Sequence, residues 1–270
     1  MKYLLFQSDD YGITNGVSDG ILYGIKSGVV RNTGLFVNMA SSKLSAQKIK
    51  DIPGIDVGID INYVAGYPVS DINEVKSLVD EKGHFIPSTK YIKNNKLIEK
   101  KNGLYYFEED PFNYDEIYTE TENQVKRFIE LMGRKPAYIH SHSISTPNTA
   151  KAALEVAKKY DLISTRIDRN DPKVYQIPVD WTPKSFPVED QFKVDVKTRL
   201  VESLKNSLDH EIGYYVCHCG YVDDDLLSET TYTIIRCKDL ASAVSKELID
   251  FLKENHIQII THTELAELIK

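Results

Sequence analysis

Two adjacent carboxylates, Asp9 and Asp10, follow the first apolar run of the chain. Two like charges at a strand end repel, and burying both is costly unless a cation offsets them. Alternation along a strand points neighbours in different directions, so one can bind a metal while the other acts as a base. The bland alternative is a helix N-cap with an acidic neighbour. His140-Ser141-His142 follows the run Ala137 to Ile139. Alternation sets both imidazoles on one face, where they can converge on one cation. A pair of hydrogen-bonded surface histidines has the same spacing. Asp60 ends another apolar run, with Asn62 after it. A lone aspartate there is more often a cap or loop residue than a ligand. Cys217-His218-Cys219 suggests zinc or thiol chemistry. One intervening residue is tight for two thiolates on one metal, and Cys237 supplies no second pair. That favours His218 as the active group, able to donate a proton near neutral pH, with the cysteines as packing.

The surrounding pattern must position these residues. Tyr3 to Phe6 is a short apolar run, and Val17, Ile21, Gly24 and Ile25 recur at helical spacing, with Gly28 as a stop. Strands are expected at Leu35 to Val37, Ile55 to Ile61, Ala137 to Ile139, Ile163 to Ile167, Ile212 to Val216 and Ile257 to Ile260. Helices are expected at Ser41 to Lys50, Tyr114 to Met132, Thr149 to Tyr160, and from Leu240 to near Asn255. Roughly seven β-then-α units imply parallel strands with helices outside. The expectation is one α/β domain over residues 1–270, a (β/α) barrel-like fold related to the TIM barrel, closed or nearly so. Such barrels build their sites at strand ends. Two stretches interrupt the pattern, near 63–113 and 169–191. The second holds Pro172, Pro178, Pro183, Pro187 and the only tryptophan, Trp181. Long excursions of this kind usually wall a site, the alternative being plain exposed loops.

Composition narrows the function. The chain has 270 residues, of which 41% are hydrophobic and 27% charged, and a net charge of −7. That acidity argues against nucleic acid or an anionic membrane as partner. Nothing resembles a signal peptide, and no run approaches the ~18 apolar residues of a membrane span. Three cysteines form no disulfide framework, so a cytoplasmic location is expected. A homodimer is left open. Glycine-rich phosphate loops are absent.

Several stretches, in order along the chain, carry a resemblance. Ser8-Asp9-Asp10-Tyr11-Gly12 resembles the "ADDFG" opening of the YdjC-like carbohydrate deacetylases, which include chitooligosaccharide deacetylases. Val37-Asn38-Met39 resembles their "VNM" strand, and residues 77–85 resemble their "SLVD-x-x-G-x-F" loop. Cys217-His218-Cys219-Gly220-Tyr221 resembles "CHPGY". Arg236 stands where the family has an arginine shortly after, and Thr165-Arg166 resembles another arginine strand end. The resemblance implies a barrel-like fold and metal-assisted removal of acetyl groups from N-acetylated sugars. It implies Asp9 as general base, Asp10 and His142 as metal ligands, and His218 as general acid. Arg166 or Arg236 would hold Asp9 or the substrate, and Tyr63, Tyr67 and Trp181 are candidates to pack on sugar rings.

Two positions depart from the pattern. The family's third strand ends "GLHLN", with a metal-binding histidine, where this chain has Gly58-Ile59-Asp60-Ile61-Asn62. Its fourth strand reads roughly "DSHQHVH", where this chain has His140-Ser141-His142-Ser143. One histidine has become Asp60 and one aspartate has become His140. If the two strands are neighbours, the site keeps its donors with the side chains exchanged. A cation would then see Asp10 and His142 plus Asp60 or His140. More oxygen donors favour magnesium or manganese, and more imidazole favours zinc. The rival readings are an altered homologue that binds sugar without turnover, and a metal-dependent amidohydrolase or phosphoesterase of another class.

Overall fold

A computed structural model describes residues 1–181 and 187–270. Its strands, in chain order, are β1 (Tyr3–Tyr11), β2 (Asn32–Leu35), β3 (Asp56–Ile61), β4 (Leu97–Lys101), β5 (Leu104–Phe107), β6 (Tyr138–Ser141), β7 (Ile163–Ser164), β8 (Val174–Gln176), β9 (Ile212–Cys217) and β10 (Gln258–Ile260). Seven of them form a curled parallel path in the order β7-β6-β3-β2-β1-β9-β8, and β10 lies beside the start of β1. Among the described residues the end strands β7 and β8 do not pair, so the barrel is open on that side. Parallel pairing sends every strand's carboxyl end to the same rim, and this gathers the singled-out residues.

Alternation along β1 divides the interior. Leu4 and Phe6 belong to the main core shared with the helices, whereas Leu5 packs against Val174, Ile212, Tyr214 and Ile260 inside the curl. Two residues further on the same face comes Gln7, and then Asp9. The inner face thus runs from apolar at the foot to acidic at the rim. Burying a side chain such as Leu5 contributes about 1.5–3 kcal/mol, and Leu5→Ala would cost about 2–5 kcal/mol.

The helix Tyr114–Met132 has the boundaries that its apolar spacing predicts. Asn113 caps it by accepting from the Asp115 and Glu116 N–H groups, and Gly133 ends it at φ 70°. Ile117, Val125, Phe128 and Met132 are its buried stripe. The helix Pro147–Tyr160 starts with a Thr146 capping box and a proline in its first turn.

Several elements differ from expectation. The predicted strand Ile163 to Ile167 is only β7, because Thr165 begins a short helix, Thr165–Asp168. The second strand lies at Asn32–Leu35, earlier than the Leu35–Val37 run. The predicted helix from Leu240 is two, Ile234–Ala243 and Lys246–Glu254, split where Ser245 caps the second by accepting from the Leu248 N–H. The 63–113 excursion holds a helix, Ser88–Asn94, and the β4–β5 hairpin. The second excursion contains β8, and Pro183 lies outside the described residues. No helix among the described residues is long and apolar enough to cross a membrane.

Candidate active site

Asp60 and His140 face each other directly. They are paired residues in the register of β3 and β6, so the two departures from the family pattern occupy neighbouring positions. Asp60 extends into space left by Gly34 on β2. A Cβ there would lie 1.8 Å from Asp60 Oδ1. From that pocket Asp60 Oδ2 accepts the Asp10 N–H at 2.8 Å. Its other oxygen, Oδ1, is buried and has no hydrogen-bond partner.

Asp9 and Asp10 do diverge, but the strand ends unusually. Asp10 has φ 70°, in the left-handed region that glycine adopts freely and other residues only uncommonly, Asn and Asp more than most. The twist sends the two carboxylates to different partners. Asp9 Oδ2 lies 3.3 Å from His140 Nε2, and Asp9 Oδ1 accepts from the Gln7 amide at 2.5 Å. Asp10 Oδ2 takes the Arg236 guanidinium at 2.7 Å, with both groups buried. Asp10 Oδ1 lies 2.9 Å from His142 Nδ1 without hydrogen-bond geometry.

Ligand atoms of Asp9, Asp60 and His140 all lie within 4.8 Å of one another, the separation expected of groups that can share one cation. His140 Nδ1 sits 2.8 Å from Thr165 Oγ1. With its proton on Nδ1 toward that hydroxyl, Nε2 presents its lone pair to the cluster.

The electrostatics separate the three carboxyls. Burial alone would raise the pKa of Asp9, but His140 and His218 outweigh it and hold Asp9 below the usual range. Burial also acts on Asp10, and His142 and Arg236 overcome it by a wider margin. Asp60 has no cation of its own. Burial, then Asp9 and Asp10, push it well above the usual range, and only the Asp10 N–H opposes them. Without a cation, Asp60 is therefore the carboxyl of the three that holds a proton to the highest pH.

Asp9, His140 and His218 line a cavity of about 620 Å³ together with Arg166, Trp181 and Asp239. The His218 N–H donates to Asp239 Oδ2 at 2.8 Å, and its ring tilts against Tyr232. Burial lowers the His218 pKa against the opposing pull of Asp10 and Asp9, so its imidazole is neutral near pH 7. Cys217 and Cys219 are buried with sulfurs 3.6 Å apart, and burial pushes Cys217 far up. A neutral thiol is a poor metal ligand, in keeping with a packing role.

The structure redistributes the other candidates. Trp181 and Arg166 reach the cavity wall. Arg236 holds Asp10, where sequence reasoning had it holding Asp9 or a substrate, and it is buried away from the wall. Tyr63 is buried and hydrogen-bonded to Thr121. Tyr67 is exposed and packs on His84. Neither lines the cavity, because the chain after β3 turns outward to the helix Tyr114–Met132. The expected ligand set, Asp10 and His142 with Asp60 or His140, is also divided. Asp60 and His140 gather with Asp9, while Asp10 and His142 form an adjoining pair. Sequence reasoning missed Gln7 and Asp239. Each left a faint signal: Gln7 is two residues from Asp9 on one strand face, and Asp239 is three from Arg236 on one helix.

Comparison with known proteins agrees with this architecture. A family model described as YdjC-like protein matches residues 3–254. A carbohydrate deacetylase of Thermoanaerobacter pseudethanolicus is 29% identical over 269 residues, covering 98% of this chain and all of that one. An Enterococcus faecalis protein named for cellobiose-phosphate cleavage superposes with a TM-score of 0.75 at 21% identity, covering 98% of both chains. A family 4 acetyl xylan esterase from Clostridium thermocellum, solved with a cobalt ion, superposes at a TM-score of 0.52 and 12% identity, covering 99% of this chain and 91% of that one. The last two establish a shared fold.

Proposed function

The chain belongs to the YdjC-like family, and from that premise we propose that it is a metal-dependent carbohydrate deacetylase, hydrolysing the acetamido group of an N-acetylated sugar. The full-length relatives named carbohydrate deacetylase support the reaction class. One observation carries the metal: Asp9, Asp60 and His140 converge while Asp60 Oδ1 is buried without a partner. A buried carboxylate oxygen left unpaired is costly, and a cation removes that cost. Two carboxylates and one imidazole suit magnesium or manganese more than zinc. Such an ion would polarise the acetyl carbonyl and acidify the attacking water.

The remaining work falls to the chain's own side chains. His218 stands on the cavity wall, neutral at rest. It is suited to take the proton of the attacking water and to return it to the departing sugar amine. Trp181, 6% exposed, gives the cavity an apolar wall against which a sugar ring can rest, and Arg166 offers donors to its hydroxyls. Arg236 keeps Asp10 ionised.

A second reading has its own observation. Asp10 Oδ1 is also buried without a hydrogen bond, 2.9 Å from His142 Nδ1. A cation between those two would leave Asp9 free as the base, with His218 as the acid. Metal content separates the readings: Asp60→Asn and His140→Gln empty the first site, Asp10→Asn and His142→Gln the second. Function is tested by incubating metal-supplemented protein with N-acetylated mono- and oligosaccharides and measuring free acetate, beside Asp9→Asn. Absence of acetate from all of them overturns the deacetylase reading. Undiminished turnover after chelation overturns the metal.

A further inference from the structure

Beneath Asp9 lies a chain of buried polar groups that the proposed chemistry does not use. Gln7 is fully buried, and an amide in a core costs a few kcal/mol unless its hydrogen bonds are made. Here they are made in one direction. Gln7 Nε2 donates to Asp9 Oδ1 at 2.5 Å. Gln7 Oε1 accepts the Tyr214 hydroxyl at 2.9 Å and faces His262 Nε2 at 2.7 Å. An ionised Asp9 can only accept, so the amide nitrogen must face it. The amide oxygen then faces His262, which must carry its proton on Nε2. Burial lowers the His262 pKa against the pull of Asp168, whose Oδ2 lies 3.6 Å from Nδ1, and Nε2 is the nitrogen that faces Gln7.

The fold places His262 there deliberately. It is the first residue of the last helix, His262–Ile269, which opens with a Thr261 capping box. Its backbone N–H donates to Asn32 Oδ1 at 2.9 Å, and its ring packs on Tyr138. The final helix therefore starts at the carboxyl end of β10 and sets an imidazole level with Gln7, one layer below Asp9.

We propose that Gln7 is a positioning residue that fixes the Asp9 carboxylate, and that His262 fixes the direction of the Gln7 amide. One oxygen of Asp9 is tied to Gln7, so only Oδ2 is presented toward His140 and the cavity. The inference rests on Asp9 belonging to the working cluster. Partners of this kind, one shell behind a ligand or catalytic group, typically change affinity or activity by about 10- to 100-fold when removed.

The test uses the full chain with four substitutions. Gln7→Met keeps the length and removes the amide, and Gln7→Leu repeats this with another shape. His262→Met removes the donor, while His262→Gln keeps an N–H near the position of Nε2. Crystal structures of wild type and Gln7→Met read the claim directly: the Asp9 carboxylate is expected to turn away from its wild-type plane. Acetate-release kinetics are expected to show kcat down about 10- to 100-fold for Gln7→Met, with KM within about twofold. His262→Met should fall similarly, and His262→Gln should recover most of the loss. An Asp9 carboxylate unmoved in the Gln7→Met and Gln7→Leu crystals overturns the proposal. So does a His262→Gln variant as slow as His262→Met when both melt like wild type. If wild type releases no acetate, the deacetylase reading fails alone, and the Asp9 geometry still decides this one.

Discussion

Asp60→Asn exchanges one carboxylate oxygen for an amide with almost no change in shape, and its two consequences have opposite signs. The Asp10 N–H keeps its acceptor, since the amide oxygen can take the place of Oδ2. What disappears is the capacity to ionise. Asp60 is pushed well above the usual carboxylate range, first by burial and then by Asp9 and Asp10. An acid whose folded pKa exceeds its unfolded value holds more protons when folded. Metal-free stability is thus undiminished below about pH 4 and falls as pH rises through the window toward the folded value. Each tenfold elevation of its proton affinity costs about 1.4 kcal/mol once the pH exceeds it. Metal-free Asp60→Asn should therefore melt higher than wild type at pH 7.5 and alike near pH 4. With a divalent cation the order reverses. A ligand at about 100 times its Kd adds about 2.7 kcal/mol, which for a chain of this size raises Tm by roughly 5–10 °C. Wild type should show that rise with manganese or magnesium, and Asp60→Asn should lose it. Differential scanning calorimetry at both pH values, with and without metal, reads all four cases. An Asp60→Asn protein that melts lower when metal-free at pH 7.5, yet keeps the full metal increment, would refute the reasoning.

Three further outcomes follow from neighbouring contacts. Gly34→Ala removes no donor, but its Cβ would collide with Asp60 Oδ1, so titration calorimetry should show metal affinity lost while His140 and Asp9 remain. Tyr63→Phe should cost about 1 kcal/mol of stability by chemical denaturation and leave KM for the sugar unchanged, because the hydroxyl bonds Thr121 and not the cavity. Burial pushes Asp239 up to about 7, against the His218 N–H and Arg236. Its raised folded pKa makes stability fall as pH rises from about 4 to about 7, and Asp239→Asn should flatten that part of a Tm-against-pH curve.

The sequence carried the rim of the barrel better than its foot. Asp9, Asp10, Asp60, His140 and His218 each end an apolar run, and parallel strands bring such ends together without further information. Alternation predicted that Asp9 and Asp10 diverge. It could not say which meets which partner, because that depends on the left-handed backbone of Asp10 and on Gly34, neither visible as a pattern. Arg236 was found by its place after the Cys217–Tyr221 motif. Residue type and position offer Arg236 to Asp9 or to a substrate, whereas the helix Ile234–Ala243 sets it against Asp10, a choice that no spacing in the sequence fixes. The last helix, His262–Ile269, is not among the expected elements, and without it the path from His262 to Asp9 is not visible. Tyr63 and Tyr67 were chosen for residue type alone, and type does not fix direction once the chain leaves a strand.

Set against the pattern that this chain resembles, Asp60 and His140 alter where the charge of the site lies more than its amount. Facing positions on β3 and β6 can trade side chains and keep one carboxylate and one imidazole in the same small volume. The difference lies in depth. Asp60 is the fully buried member, while His140 reaches the cavity. The Asp60 carboxylate thus lies deeper than Asp9 and Asp10, where a third negative charge meets two others and one guanidinium. Counted against the one guanidinium, the three carboxylates would carry two uncompensated negative charges in a largely buried place beside the cavity. A proton on Asp60 relieves only one of them, whereas a single divalent cation relieves both at once. A site arranged in this way should release the proton of Asp60 as it takes up metal. Titration calorimetry in buffers of different ionisation enthalpy measures that release. Metal uptake without proton release near pH 6 would mean that the ion sits elsewhere and that Asp60 keeps its proton beside it.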